Sequence, residues 1–533
     1  MKNVKNNMKK SIVILFILLS IIGIAAFPLF SSSYLPTHDG EYHIIRIVEF
    51  SKMLSSGYLF PRWAPTLNSG YGIPIFEFHY PLPNYIGSFI RILTHDAVYA
   101  FQISMGLGYI LAALGSFLWL TSMYGTIPAL LGAIVGAYVP YWFVDIYVRG
   151  SIGEVWAIAV LFFVLWAIEK KRYIVTALFF GLLLLSHNIL GMVFTPFLFI
   201  YMVIRNKKAI GSLLWGLGVS AYFWLPALLE ARYVVGLNTV NFREHFVNVY
   251  ELLIPSWGTE FSAIGLIGNK ISFQIGIIPM CVLIGSLILL MHEKNKKLRY
   301  LTIYLFIIVL LSIVGMLPWS QFIWEFIQPM QFIQYPWRLL SFFIPVITYL
   351  AAYWISHMRH RWVGLLIACF AVLFTYSYTR AVQYQPRSEA YYLSRSNFTD
   401  GTSSMGNSFS TIWTGWKATR PESEIVVQNG KMTKQGTWKY LKKEFTVIMD
   451  AEGTIVFNTL YFPGWIVVVD GKKVPIQYQY DGIIRVSIPA GVHTVRIQFT
   501  DTMPRTVGNI ISIFSLVGII IWSILSIYVH RYK

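Results

Sequence analysis

The stretch "SIVILFILLSIIGIAAFPLFSSSYLPTHDGEYHIIR", Ser11–Arg46, joins two very different kinds of sequence. Its first half, Ser11–Phe30, is an apolar run of twenty residues after a Lys-rich start, long enough to cross a hydrocarbon layer. No small-residue cleavage site followed by a soluble domain is visible, so the run reads as a signal-anchor helix rather than a removable leader. Its second half crowds Asp39, Glu41, His43 and Arg46 into the first residues beyond that run. If this part is helical, Asp39, His43 and Arg46 fall on one face at i, i+4 and i+7. Two readings of Asp39 stand. It, or Thr37, caps the helix N-terminus, or it is a general base with an imidazole and a guanidinium beside it to hold a phosphate. For His43 the alternative is an interfacial polar residue. An Asp/His pair also suits a metal, although two ligands are a weak signal.

The rest of the chain follows the first half. Of 533 residues, 56% are hydrophobic, 17% aromatic and only 12% charged, which indicates a polytopic membrane protein. Cys281 and Cys369 both lie in apolar runs and imply neither a disulfide framework nor a zinc site. About twelve segments approach spanning length: 11–30, 98–122, 127–143, 153–169, 173–187, 189–204, 209–229, 273–291, 300–318, 338–356, 362–379 and 506–529. The net charge of +18 does not point to nucleic acid, because much of the excess sits in short turns between apolar runs. Lys2–Lys10, Lys170–Arg172, Arg205–Lys208, Lys294–Arg299, Arg359–Arg361 and Arg531–Lys533 all fall on one side if both termini are cytoplasmic.

Everything unusual then lies on the other side. The first outer loop, 31–97, continues as "PRWAPTLNSGYGIPIFEFHYPLPNY", too broken for one helix, where Arg62, His79 and Tyr80 are candidate pocket residues. The next, "YVRGSIGEVW", offers Arg149 and Glu154; Glu154 either complements a helix dipole or serves catalysis or a metal. "LSHN" places His187 and Asn188 at the outer end of a short span. "QYPWR" brings Gln334, Trp337 and Arg338 to the start of another; an arginine on the outer side opposes the usual asymmetry and suggests a lipid phosphate.

Residues 380–505 read differently. After a polar, Ser-rich opening they alternate with period two, with turns at Asp470–Gly471, Asp481–Gly482 and Pro489–Gly491, which predicts an all-β sandwich. The expected organisation is a transmembrane domain over 1–379, an extracytoplasmic sandwich over 380–505, and a final span with a cytoplasmic tail over 506–533.

No Walker A, GxSxG, HExxH or dinucleotide pattern is present, which disfavours a nucleotide engine. Taken in order, "HDGEYH", "PRWAPTLNSGYGIPIFEFHYPLPNY", "RGSIGE", "LSHN", "QYPWR" and "YFPGWIVVVDGKKV…IPAGVHTVRIQF" resemble the YfhO-like, 6-pyruvoyl-tetrahydropterin-synthase-related membrane proteins of the GT-C glycosyltransferase superfamily. The chain does not resemble the soluble zinc enzyme of that name.

The resemblance implies a GT-C-like membrane glycosyltransferase. It implies a polyprenyl-phosphate-linked sugar as donor, and an extracytoplasmic glycan, other envelope polymer, lipid or protein as acceptor. Asp39 matches the essential acid after the first span and Glu154 the second acidic position; Arg46, Arg149 and Arg338 are the phosphate candidates. A divalent metal at Asp39 and Glu154 is also implied, although the second loop lacks a DxE pattern. A sugar-contacting surface around Trp465 is a further expectation, against a core role for that side chain. Two rivals stand beside the enzyme: a lipid or glycan transporter or flippase, and a non-catalytic glycan-binding assembly protein. Charged residues inside the spans are scarce, which suits a transporter poorly.

Overall fold

The computed structural model describes residues 2–31, 33–236, 240–262, 269–380, 383–414 and 416–531. The last residues of the predicted basic cluster Arg531–Lys533 lie outside them.

The apolar runs form helices, and together they match the twelve predicted segments one for one. They are not twelve full spans. Among the described residues, eight helices are long and apolar enough to cross a membrane, and ten if each of two bent pairs counts as one span. The two remaining helices, Tyr173–Ser186 and Ile277–Leu290, have 14 residues each. That gives a length of about 21 Å against a hydrocarbon core of about 30 Å. Both bends have local causes. The 49° bend between Thr126–Ala137 and Pro140–Arg149 falls just before Pro140, which disfavours helical geometry in the residue it follows. The 66° bend between Lys207–Val219 and Ala221–Tyr233 falls at Ser220, whose hydroxyl donates back to the Gly216 carbonyl at 2.9 Å.

Turns predicted to share the basic side do meet: Arg205 pairs with Glu169 at 2.6 Å, and His357 lies 3.5 Å from Glu293. At the other end of the bundle the first loop is more ordered than its sequence suggests. It carries the helix Gly40–Ser55 and a second helix, Pro81–Thr94. Pro81 and Pro83 do not obstruct that second helix because first-turn N–H groups need no helical partner.

The C-terminal region holds two antiparallel sheets. One has three strands in the order β1 (Ile425–Val427), β4 (Gly453–Leu460), β7 (Ile483–Ile488). The other orders β2 (Gly430–Lys439), β3 (Lys442–Met449), β8 (Gly491–Phe499), β5 (Trp465–Val469) and β6 (Lys472–Val474). Alternate residues of β3 and β4 are buried, and Phe445 meets Phe457 across the sheets at 6.1 Å. The strands begin only at Ile425. The segment before them is a strap that runs over the first loop: Tyr34 pairs with Gln385, and the amides of Asn68 and Ser69 donate to Gly401 and Asp400. The predicted boundary at 380 therefore separates the strap from the spans, not the sandwich from the spans.

Trp465 is no exposed sugar platform. It is 5% exposed and stands edge-on to Trp63 of the first loop at 5.7 Å, with Phe499 at 5.2 Å. Replacing Trp465 by Ala should cost about 3–5 kcal/mol. A lower melting temperature in detergent and faster proteolysis at the sheet–loop seam are the expected readouts.

Arg62 belongs to this seam too. It donates to Glu77 at 3.0 Å, and Arg505 bridges Glu77 (3.4 Å) and Glu230 (2.7 Å), all of them buried. The charges of the first loop, the end of a membrane helix and the start of the final span are thus tied together away from the cleft described next.

Candidate functional site

An open cleft with about 920 Å³ of empty space lies where the outer loops converge. Asp39, His43, Arg46, His79, Tyr80, His187, Asn188, Gln334 and Arg338 all line it. Arg149 and Trp337 line a second cleft of about 1040 Å³, and Asp39 lines both. Sequence reading missed several walls of the first: Tyr42, Ser151 and Tyr335, and above all Ser404, Met405, Ser408 and Phe409 of the strap. In the sequence the strap reads as the polar, Ser-rich opening of the sandwich, and nothing in it signals contact with the first loop.

Asp39 precedes the first residue of helix Gly40–Ser55, but its side chain makes no capping bond. Its backbone amide donates to the Arg149 carbonyl at 2.8 Å, and His38 does the same to Val148 at 2.9 Å. This two-rung ladder holds the first loop against the second. Gly150 permits the approach: its φ is +69°, and a Cβ there would lie 2.2 Å from Thr37 Oγ1. The Asp39 carboxylate accepts no hydrogen bond among the described residues. It is partly exposed and points at solvent-accessible space on two sides.

His43 and Arg46 follow on the same helical face, as the spacing requires. His43 stacks on Phe101 at 5.9 Å and is buried. Arg46 donates through Nη1 to His79 Nε2 at 2.8 Å, and through Nε (3.1 Å) and Nη2 to the Ser403 carbonyl of the strap. Burial first, and the Arg46 charge second, hold both His43 and His79 well below the ordinary value of 6.5. The unfolded chain therefore binds protons that the fold refuses. Stability should fall as pH drops below about 6.5, by about 1.4 kcal/mol per pH unit for each group. Thermal melts between pH 7.5 and 5 measure this, and the doubly substituted His43→Gln, His79→Gln protein should show a flatter profile.

Glu154 is fully buried. Its Oε1 takes Arg149 Nη2 at 2.8 Å and Arg338 Nε at 2.7 Å, while Tyr141 donates to Oε2 at 3.1 Å. Arg149 also pairs with Asp145, and its guanidinium lies 4.8 Å from the Trp337 ring. Arg338 donates further to the Ile333 carbonyl (2.7 Å) and Gln334 (3.2 Å). Its Nη2 has no hydrogen-bond partner among the described residues. Glu154 thus fixes two arginines, one facing each cleft, and does not line either. With its oxygens so occupied it makes no metal ligand beside Asp39, and among the described residues no group of three or more His, Cys, Asp or Glu is gathered for a metal ion. The donor set does not fit the divalent ion that the sequence resemblance implied.

His187 accepts the Leu190 amide on Nδ1 at 3.1 Å, so a neutral ring carries its proton on Nε2. Tyr80 packs on it at 5.0 Å. Gly153 makes room for both, since a Cβ there would lie 2.4 Å from the Tyr80 ring and 2.7 Å from His187. Asn188 donates to the Phe78 carbonyl at 2.8 Å and leaves its buried Oδ1 without a partner among the described residues.

The fold and the cleft define a multi-pass membrane protein whose polar site is assembled from loops at one end of its helical bundle. The family described as 6-pyruvoyl-tetrahydropterin synthase related domain, membrane protein, matches residues 76–384, more than half of the chain, and the protein belongs to that family. A relative from Lactococcus lactis subsp. cremoris (strain MG1363), an uncharacterized protein, is 24% identical over 249 residues, 42% of this chain and 40% of the relative. The chain thus matches only two-fifths of that relative's length. Two solved structures show partial likeness. ArnT from Cupriavidus metallidurans bound to undecaprenyl phosphate has a TM-score of 0.44 at 13% identity, over 68% of this chain and 64% of that one. The apo oligosaccharyltransferase of Archaeoglobus fulgidus has a TM-score of 0.42 at 14% identity, over 71% and 57%.

Proposed function

We propose that the protein is a glycosyltransferase that moves a sugar from a polyprenyl-phosphate donor to an acceptor on the extracytoplasmic side. The observation that carries this reading is the placement of Asp39. Its carboxylate is uncommitted, sits at the junction of two clefts, and has cationic and hydrogen-bonding groups on the first of them. A base shared by two cavities suits a reaction that joins two substrates.

The donor phosphate would occupy the first cleft, against the free Nη2 of Arg338 and the Nε2–H of His187. Its polyprenyl chain would remain in the bilayer. An acceptor hydroxyl then faces the anomeric carbon beside Asp39. The carboxylate takes the hydroxyl proton as the oxygen–carbon bond forms. The bond from that carbon to the phosphate oxygen breaks, and polyprenyl phosphate leaves with the electron pair. A single displacement inverts the anomeric centre. No nucleotide is consumed, in keeping with a sequence that has no nucleotide motif. This reading places both termini in the cytoplasm and the β-sheets outside.

The experiment is transfer in proteoliposomes, using a radiolabelled polyprenyl-phosphate sugar and cell-envelope material as acceptor. Acceptor-dependent release of polyprenyl phosphate with label on the acceptor is the expected result. Donor binding or translocation without release would favour a carrier and sink the enzyme.

A further inference from the structure

A third groove, with about 1240 Å³ of empty space, opens beside the two clefts. It shares Tyr42 and Ser404 with the first and His38 with the second. Its walls come from the start of the first-loop helix and from the strap. We propose that this groove binds an uncharged oligosaccharide chain and presents its end to Asp39, so that the acceptor is a neutral glycan several sugars long. This rests on the glycosyltransferase reading above and names the acceptor class for it.

Three observations carry the inference. The first is chemical. Trp416 is 55% exposed, and its Nε1 donates to the Asp400 carbonyl at 3.3 Å, which anchors the indole beside the groove. An anchored aromatic ring combines apolar area with low ordering cost and suits the C–H face of a sugar ring. Asn397 and Asn407 add amides, which both donate and accept.

The second concerns charge. Neither lysine nor arginine is among the lining residues, whereas Glu41 and Asp400 both are. Each carboxylate spends one oxygen on an arginine: Glu41 Oε1 on Arg387 at 2.9 Å, and Asp400 Oδ1 on Arg420. The other oxygen of each has no hydrogen-bond partner among the described residues. Two such acceptors suit sugar hydroxyls, and no ammonium or guanidinium group lines the groove to hold a phosphate or carboxylate polymer.

The third is extent. The groove holds about 600 Å³ of water-accessible volume, against about 170 Å³ in the first cleft, and it shares Tyr42 and Ser404 with that cleft. A single sugar would leave most of it unused.

The test is a printed array of neutral oligosaccharides of two to eight sugars, together with monosaccharides and sulfated or phosphorylated chains. It is probed with the detergent-solubilised full-length protein, with thermal melts to confirm folding of each variant. Binding should favour neutral chains over monosaccharides, fall tenfold or more in Trp416→Ala and in Asn397→Ala, and persist in Asp39→Asn. Binding to anionic chains alone, no binding, or wild-type binding by both groove variants would overturn the inference. Neutral-chain binding without any Asp39-dependent transfer would defeat the enzyme reading but leave the glycan groove standing. Asp39-dependent transfer with unchanged KM in both groove variants would do the reverse.

Discussion

Asp39→Asn should lower transfer by about 10²–10⁴-fold, the usual contribution of a positioned general base, while leaving the melting temperature almost unchanged. The two halves of this expectation come from the same geometry. The carboxylate forms no cap, no ion pair and no hydrogen bond among the described residues, so its loss removes nothing that holds the fold. Substitutions away from such contacts stay within about 0.5 kcal/mol. The backbone ladder to Arg149, which positions the residue, does not involve the side chain and survives. An asparagine presents nearly the same shape but cannot accept the acceptor's proton. Donor KM should move little, because the proposed phosphate partners are Arg338 and His187. Full transfer by a correctly inserted Asp39→Asn protein would remove Asp39 from the base role. Lost activity accompanied by a large drop in melting temperature would assign it a structural one instead.

Glu154→Gln should behave in the opposite way, destabilising the protein by about 3–5 kcal/mol and abolishing transfer as a secondary effect. Breaking a buried ion pair by removing one partner leaves the other charge uncompensated. Here one carboxylate oxygen serves two guanidiniums from different loops, at 2.8 and 2.7 Å. Glutamine keeps the shape but not the charge. Arg338 would lose its carboxylate anchor along with its aim into the first cleft, and Arg149 would retain Asp145 as its one carboxylate partner among the described residues. Thermal unfolding in detergent reads the stability loss. A variant with unchanged melting temperature but no turnover would show that Glu154 acts on substrate directly, contrary to its burial behind the arginines.

Much of this arrangement could be read from the chain. The i, i+4, i+7 spacing of Asp39, His43 and Arg46 placed them on one helical face, and the structure has them there. The alternation of basic and unusual loops gathered the candidate residues at one end of the bundle. Other features depend on distant partners. Arg62 sits in the same aromatic, Pro-rich loop as His79, yet it faces Glu77 and the final span because Arg505, far along the chain, completes that network. Glu154 looked like an acid beside a membrane helix; only the positions of Arg149 and Arg338 show it to be a brace. The strap was least legible. A run of serine, glycine and asparagine has no periodicity from which to infer what it covers.

That strap also sets the order in which the site can come into being during synthesis. The first loop leaves the ribosome early, but Ser403, which receives Arg46, follows more than three hundred residues later. Until then the cleft lacks one wall and Arg46 lacks its carbonyl partner. A nascent chain halted after its eleventh hydrophobic segment would carry every charged residue assigned to the chemistry and still have no finished site. On the proposed reading, competence for sugar transfer is therefore acquired late, when the C-terminal quarter folds back over the part that was made first.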